Sequence, residues 1–170
     1  MATKKLVRLA LVLLVMFGNI GCDQVSKNII RTHVTPHETI AVIGNHLTVT
    51  NVENSGAMMS LGDSLPRTTK SILLSALPLL ILAITFVYTL RKRNIPNLVL
   101  WGLCFIMGGG IGNLFDRIMY GSVTDFLHIE IGVFQTAVFN MADVSIVVGT
   151  LLILFYTFFK RKETPLPGQS

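Results

Sequence analysis

The sequence predicts a membrane α-helical protein: a bundle of four transmembrane helices carrying a small extracytoplasmic β-sheet cradle. Three observations lead there. Of 170 residues, 14% are charged and 51% hydrophobic, with mean hydropathy +0.64; a soluble domain carries about 25% charged residues. Four stretches are long enough and apolar enough to cross a bilayer, which takes roughly 20 residues each. The basic residues that flank these stretches cluster at alternate boundaries, and so on one side of the membrane.

The first span is expected over about 6–22, with Arg8 as its early charge. Ile20-Gly21-Cys22 partly matches the cleavage box of a lipid-modified secretory leader, but Asn19 stands where that box wants an apolar residue, and three more spans follow. Residues 39–51 alternate at Ile40, Val42, Leu47 and Val49 around Gly44-Asn45, the pattern of a β-hairpin. The second and third spans are expected over 72–90 and 98–115, separated by a short basic turn. Leu127, Ile129 and Ile131 alternate as a further strand closed by Gly132, and the fourth span covers 139–159. Residues 1–162 are read as a single membrane-embedded domain. The tail 163–170, with Pro165, Pro167 and Gly168, is expected to be disordered.

Basic loops are retained in the cytoplasm. Lys4, Lys5 and Arg8, then Arg91, Lys92 and Arg93, then Lys160, Arg161 and Lys162 all fall on one side, so both termini are expected to be cytoplasmic. The same distribution removes a nucleic-acid partner, because the +5 net charge is spread over membrane anchors and forms no single patch. Cys22 and Cys104 lie at different depths, which argues against a disulfide.

Polar residues gather at one depth, the outer end of the spans: Asp23, Asp116, Arg117, Asp125, Asn140 and Asp143. Asp23 and Lys27, Asn113 and Asp116, and Asn140 and Asp143 each stand three or four apart, on one helix face. Three helices are therefore expected to turn polar groups toward a common cleft. Gly108 and Gly112 stand in GxxxG register on the third span, a helix-packing signal.

Five blocks of this sequence resemble the bacterial lipoprotein signal peptidases, or type II signal peptidases, in the family's order and over nearly the whole chain. They are Asp23-Gln24-Val25-Ser26-Lys27; Asn54-Ser55-Gly56-Ala57; Gly109-Gly110-Ile111-Gly112-Asn113-Leu114-Phe115-Asp116-Arg117; Val123-Thr124-Asp125-Phe126; and Phe139-Asn140-Met141-Ala142-Asp143. The resemblance implies an aspartic endopeptidase of the bacterial cytoplasmic (inner) membrane. Such an enzyme removes the signal peptide from diacylglyceryl-modified prolipoproteins by cutting just before the lipidated cysteine. Its catalytic pair maps onto Asp125 and Asp143. Substrate-binding or supporting roles fall on Asn54, Gly56, Asn113, Asp116, Arg117, Asn140, Ala142, Asp23 and Lys27. Met58-Met59 depart from the family's usual phenylalanine and bear on the shape of the substrate groove.

Read from the residues alone, two close carboxyl groups share one proton, which makes one an acid and the other a base without a metal. No metal and no cofactor are expected; the partners are the prolipoprotein and membrane lipids, and the chain is taken as a monomer. Simpler readings stand beside these: Asp125 as a turn residue, Asp143 as a first-turn helix acid, Arg117 as an anchor paired with Asp116, and Asn54 as a turn residue. No HExxH is present, and His33, His37, His46 and His128 are read as solvated loop residues. A small proton-coupled transporter is the alternative from another class; it would place its acids near the midplane.

Overall fold

The computed structural model describes residues 2–56, 64–92 and 94–160. The elements in order are α1 (Ala2–His33), β1 (Thr39–Ile43), β2 (Leu47–Asn54), α2 (Arg67–Ser71), a π-helical turn (Ile72–Ala76), α3 (Leu77–Arg91), α4 (Asn97–Met119), β3 (Val123–Ile131), β4 (Phe134–Gln135) and α5 (Met141–Lys160). Among the described residues four helices are long and apolar enough to cross a membrane: Leu6–His33, Thr68–Arg91, Asn97–Met119 and Met141–Phe159. The expected four-span bundle with a small sheet is the observed architecture. Ala57, Met58, Met59 and the tail 163–170 lie outside the described residues.

The first helix is the main departure from the expected bounds. It continues eleven residues past Cys22, to His33, because the charges that end the apolar run are paired inside the bundle. Asp23, Lys27 and Arg31 follow one another at four-residue spacing; Lys27 and Arg31 both pair with Asp116 on α4, and Asp23 pairs with Lys27. The π-helical turn has a local cause as well. Pro78 supplies no N–H and its ring crowds the carbonyl four residues back, and the wider turn just before it relieves that crowding.

α4 is the central helix, packed against α1, α3 and α5. Its glycines divide these contacts among them. A Cβ on Gly112 would stand 2.5 Å from Asp23 Oδ2, and one on Gly108 2.7 Å from Asn19 Cβ, so the GxxxG face meets α1. A Cβ on Gly109 would collide with the Ala142 carbonyl of α5, and one on Gly110 would press on Leu82 of α3. Backbone approach of this kind lets packing hold helices together where lipid offers no hydrophobic drive. Below the glycines, Val12, Met16, Cys104 and Met107 form the buried centre between α1 and α4. Cys22 is exposed and both cysteines are free.

The sheet has the order β1-β2-β3-β4, antiparallel throughout. The expected hairpin exists, with Gly44 at φ 50 in its turn, but β2 runs on to Asn54, which is therefore a strand residue. Asp125 likewise lies within β3, paired with Val52, and is no turn residue. His128 lies on β3 opposite Thr48, and His33 ends α1, so neither is a loop histidine.

Candidate active site

The site forms where β2, β3, α4 and α5 converge. Asn140 precedes the first residue of α5 and caps it: its Oδ1 accepts the Asp143 N–H at 3.0 Å, and Asp143 Oδ2 accepts the Asn140 N–H at 3.2 Å. This is the reciprocal capping box, which satisfies two otherwise orphaned donors. The first-turn reading of Asp143 is thus correct as far as it goes. Its second oxygen, Oδ1, turns aside and accepts from Asn113 Nδ2 at 2.9 Å.

Asp125 is held in a similar way from the sheet. Its Oδ1 accepts from Asn140 Nδ2 at 2.6 Å and its Oδ2 from Asn54 Nδ2 at 2.9 Å. Asn54 is itself fixed, because its Oδ1 accepts the Gly56 N–H at 3.0 Å. Amides thus meet all four carboxyl oxygens of Asp125 and Asp143, and Asn140 bonds to both residues. Both acids open on one cavity of about 550 Å³. Its polar lining also includes Asn54, Asn113, Arg117 and Asn140; its apolar lining includes Ala137, Val138 and Phe139 with Val144, Val147 and Val148 of α5. Arg117 donates from Nη2 to the Gly56 carbonyl at 3.3 Å. Asp116 is instead taken by Lys27 and Arg31, contrary to the simple anchor reading, and the Arg117 Nε has no partner among the described residues.

Asp23, Lys27, Asp116 and Ala142 do not line this cavity; they form a buried layer behind it, each fully excluded from solvent. The Lys27 ammonium lies 2.8 Å from Asp23 Oδ2, from Asp116 Oδ2 and from Asn113 Oδ1. Asp23 Oδ1 accepts the Ala142 N–H of α5 at 2.9 Å. Lys27 therefore supports the cavity through Asn113, and Asp23 supports it through the start of α5. The expectation that all these polar groups face one cleft is corrected: ion pairs with few water contacts are stable only when fully partnered, and these draw one another inward.

Two residues of this layer were given no role in the sequence reading, Gln24 standing only inside a motif block. Gln24 Nε2 lies within 3.2 Å of Asp23 Oδ2, Asp116 Oδ1 and the Gly112 carbonyl. Arg31 pairs with Asp116 Oδ1 at 3.2 Å, donates to Thr124 Oγ1 at 2.7 Å and stacks on the Tyr120 ring at 4.2 Å. It ties α1 to the residue next to Asp125. Its one sequence signal is the continued four-residue spacing from Asp23 and Lys27.

Burial pushes the Asp125 carboxyl up from 3.8 to about 6; Asn54 and Asn140 pull against that rise, and the nearby Asp143 adds to it. A carboxyl raised in the native state binds its proton more tightly folded than unfolded. Its stabilising contribution is therefore fully present below pH ~3.8 and lost as pH rises through ~6. Thermal midpoints in detergent, read at about pH 4 and about pH 7, should fall more steeply with pH in the wild type than in Asp125→Asn. Identical pH dependence in the two proteins would remove the tightly held proton from Asp125.

The fold and the site define a multi-pass membrane enzyme with its polar centre at one end of the helices. The chain belongs to the signal peptidase II family: the family model described as signal peptidase (SPase) II matches residues 13–159. A lipoprotein signal peptidase of Desulforapulum autotrophicum is 33% identical over 95% of this chain and 98% of its own length. One from Chlorobium phaeobacteroides is 37% identical over 82% of this chain and 91% of its own. A solved structure titled as a bacterial membrane enzyme superposes with TM-score 0.80 at 24% identity, covering 95% of this chain and 94% of that one, which establishes the shared fold. The protein is accordingly a bacterial inner-membrane signal peptidase that removes signal peptides from lipoproteins.

Proposed function

We propose that Asp125 and Asp143 are the catalytic pair of an aspartic endopeptidase that cuts a diacylglyceryl-modified prolipoprotein just before its lipidated cysteine. The observation that carries this reading is the pair of carboxyl groups opening on one cavity, their oxygens oriented by amides alone. A water held between them attacks the scissile carbonyl carbon. The ionised carboxylate takes a proton from that water while the protonated carboxyl gives its proton to the carbonyl oxygen. As the gem-diol collapses, the C–N bond breaks, the leaving nitrogen takes up the first proton and the second aspartate recovers its own. The products are a signal peptide with a new carboxyl terminus and a lipidated cysteine with a free α-amine.

Arg117, whose Nε is unpartnered among the described residues, is suited to a substrate carbonyl, and Asn54 with Gly56 to the substrate backbone. The apolar side of the cavity suits the lipid and the signal-peptide side chains. Residues up to 162 act as one domain, a monomer, with both termini cytoplasmic and the site at the outer leaflet; the basic clusters at the opposite ends of the spans support that orientation. Among the described residues no three His, Cys, Asp or Glu side chains cluster as a metal site requires.

Purified protein incubated with a diacylglyceryl-modified precursor is expected to release a fragment whose mass places the cut before the lipidated cysteine. Addition of a chelator should leave the rate unchanged. Strong inhibition by the chelator, restored by one metal, would replace the aspartic reading.

A further inference from the structure

One apolar cluster outside the spans and outside the cavity is left unexplained. The β3–β4 hairpin turns at Gly132, with φ 62, and Glu130 pairs with Gln135 and Ile131 with Phe134 on its two sides. Its tip carries Ile131, Val133 and Phe134, exposed to 63%, 92% and 78%. Those values are close to or above those of span residues such as Leu14 and Phe158, both 68% exposed. A tip of this composition is unfavourable in water, and large exposed apolar clusters mark a partner or a membrane.

Two observations choose the partner. The chain leaving the hairpin, residues 136–139, lines the same cavity as Val144, Val147 and Val148, which lie in the first two turns of α5. The base of the hairpin is thus level with the start of a membrane span, and Val147 on that rim is itself 56% exposed. In addition, residues 123–139 contain neither Lys nor Arg. The tip therefore has nothing with which to attract an anionic headgroup, and its attachment must be apolar.

We infer that the hairpin tip Ile131–Phe134 dips into the lipid leaflet beside the cavity mouth, continuing the apolar belt of the spans. It fixes the height of the sheet so that the cavity opens among lipid chains, where a diacylglyceryl-cysteine resides. The inference rests on the reading of the cavity as the site of lipoprotein cleavage, although insertion itself is measured without reference to cleavage.

The test places a fluorophore on the tip. In Trp101→Phe/Phe134→Trp protein, reconstituted in purely zwitterionic phosphatidylcholine vesicles, the single tryptophan should emit at short wavelength. Lipids brominated near the top of their acyl chains should quench it severalfold more than lipids brominated near the chain ends. Adding anionic lipid or salt should change neither result. Water-like emission with no quenching overturns the inference, as does quenching that disappears when precursor is added, which would make the tip a peptide contact. Cleavage is assayed in the same vesicles: quenching without cleavage removes the catalytic reading and leaves the insertion standing, while cleavage without quenching does the reverse.

Discussion

Asp125→Asn and Asp143→Asn are each expected to lower kcat for precursor cleavage by at least about 10³-fold, within the range that acid–base groups contribute. Either substitution leaves one carboxyl group with no partner to share its proton, so the acid and base roles can no longer be divided. The double variant should lose little more than either single one, because groups that act as a unit are not additive. Folding is expected to survive. In Asp143→Asn the new amide retains an oxygen for the capping bond to the Asn140 N–H, and in Asp125→Asn it keeps one acceptor for Asn54 or Asn140. Thermal midpoints in detergent check that point, and cleavage followed by mass spectrometry checks activity. A well-folded Asp143→Asn protein with wild-type kcat would remove the dyad.

Lys27→Met should have the largest effect on stability. The ammonium is fully buried between Asp23 and Asp116 and also bonds Asn113. Removing it leaves two carboxylates with only Arg31, Gln24 and the Ala142 N–H to meet them, and breaking a buried pair on one side costs about 3–5 kcal/mol. Poor yield and a thermal midpoint lowered by many degrees are expected. The triple variant Asp23→Asn/Lys27→Met/Asp116→Asn removes the charge from both sides and keeps an acceptor for the Ala142 N–H, so it should recover most of the loss. If the triple variant is no better than Lys27→Met alone, the defect is one of packing and the charge argument fails. The same comparison reports on function, because Asn113 links Lys27 to Asp143: the triple variant should fold yet cleave more slowly than wild type.

The four spans, the hairpin and the strand at 127–131 were legible because their signals are local: apolar length for the helices, alternation for the strands. The motif blocks singled out Asp125 and Asp143, and the structure places both on one cavity. The end of α1 was not, since charge normally ends a span and only a partner on another helix cancels it; that partner, Asp116, lies about ninety residues away in sequence. For the same reason the nine supporting residues could not be divided between cavity and core. Asp116 and Arg117 are neighbours in the chain, yet one is sealed behind the cavity with Lys27 and the other lines it beside Gly56. Gln24 and Arg31 were given no role because a polar residue beyond the apolar run of a helix looks solvated until its acceptors are placed.

What the sequence alone determined is the number of crossings and the presence of a small sheet, each set by hydropathy period; the direction of the crossings and the acid pair are expectations that it raised through flanking charge and short motifs. Only the tertiary structure decided which polar groups line the cavity and which are buried against one another. That division depends on distances between helices, and α4 sets those distances by bringing glycine backbone against α1 and α5.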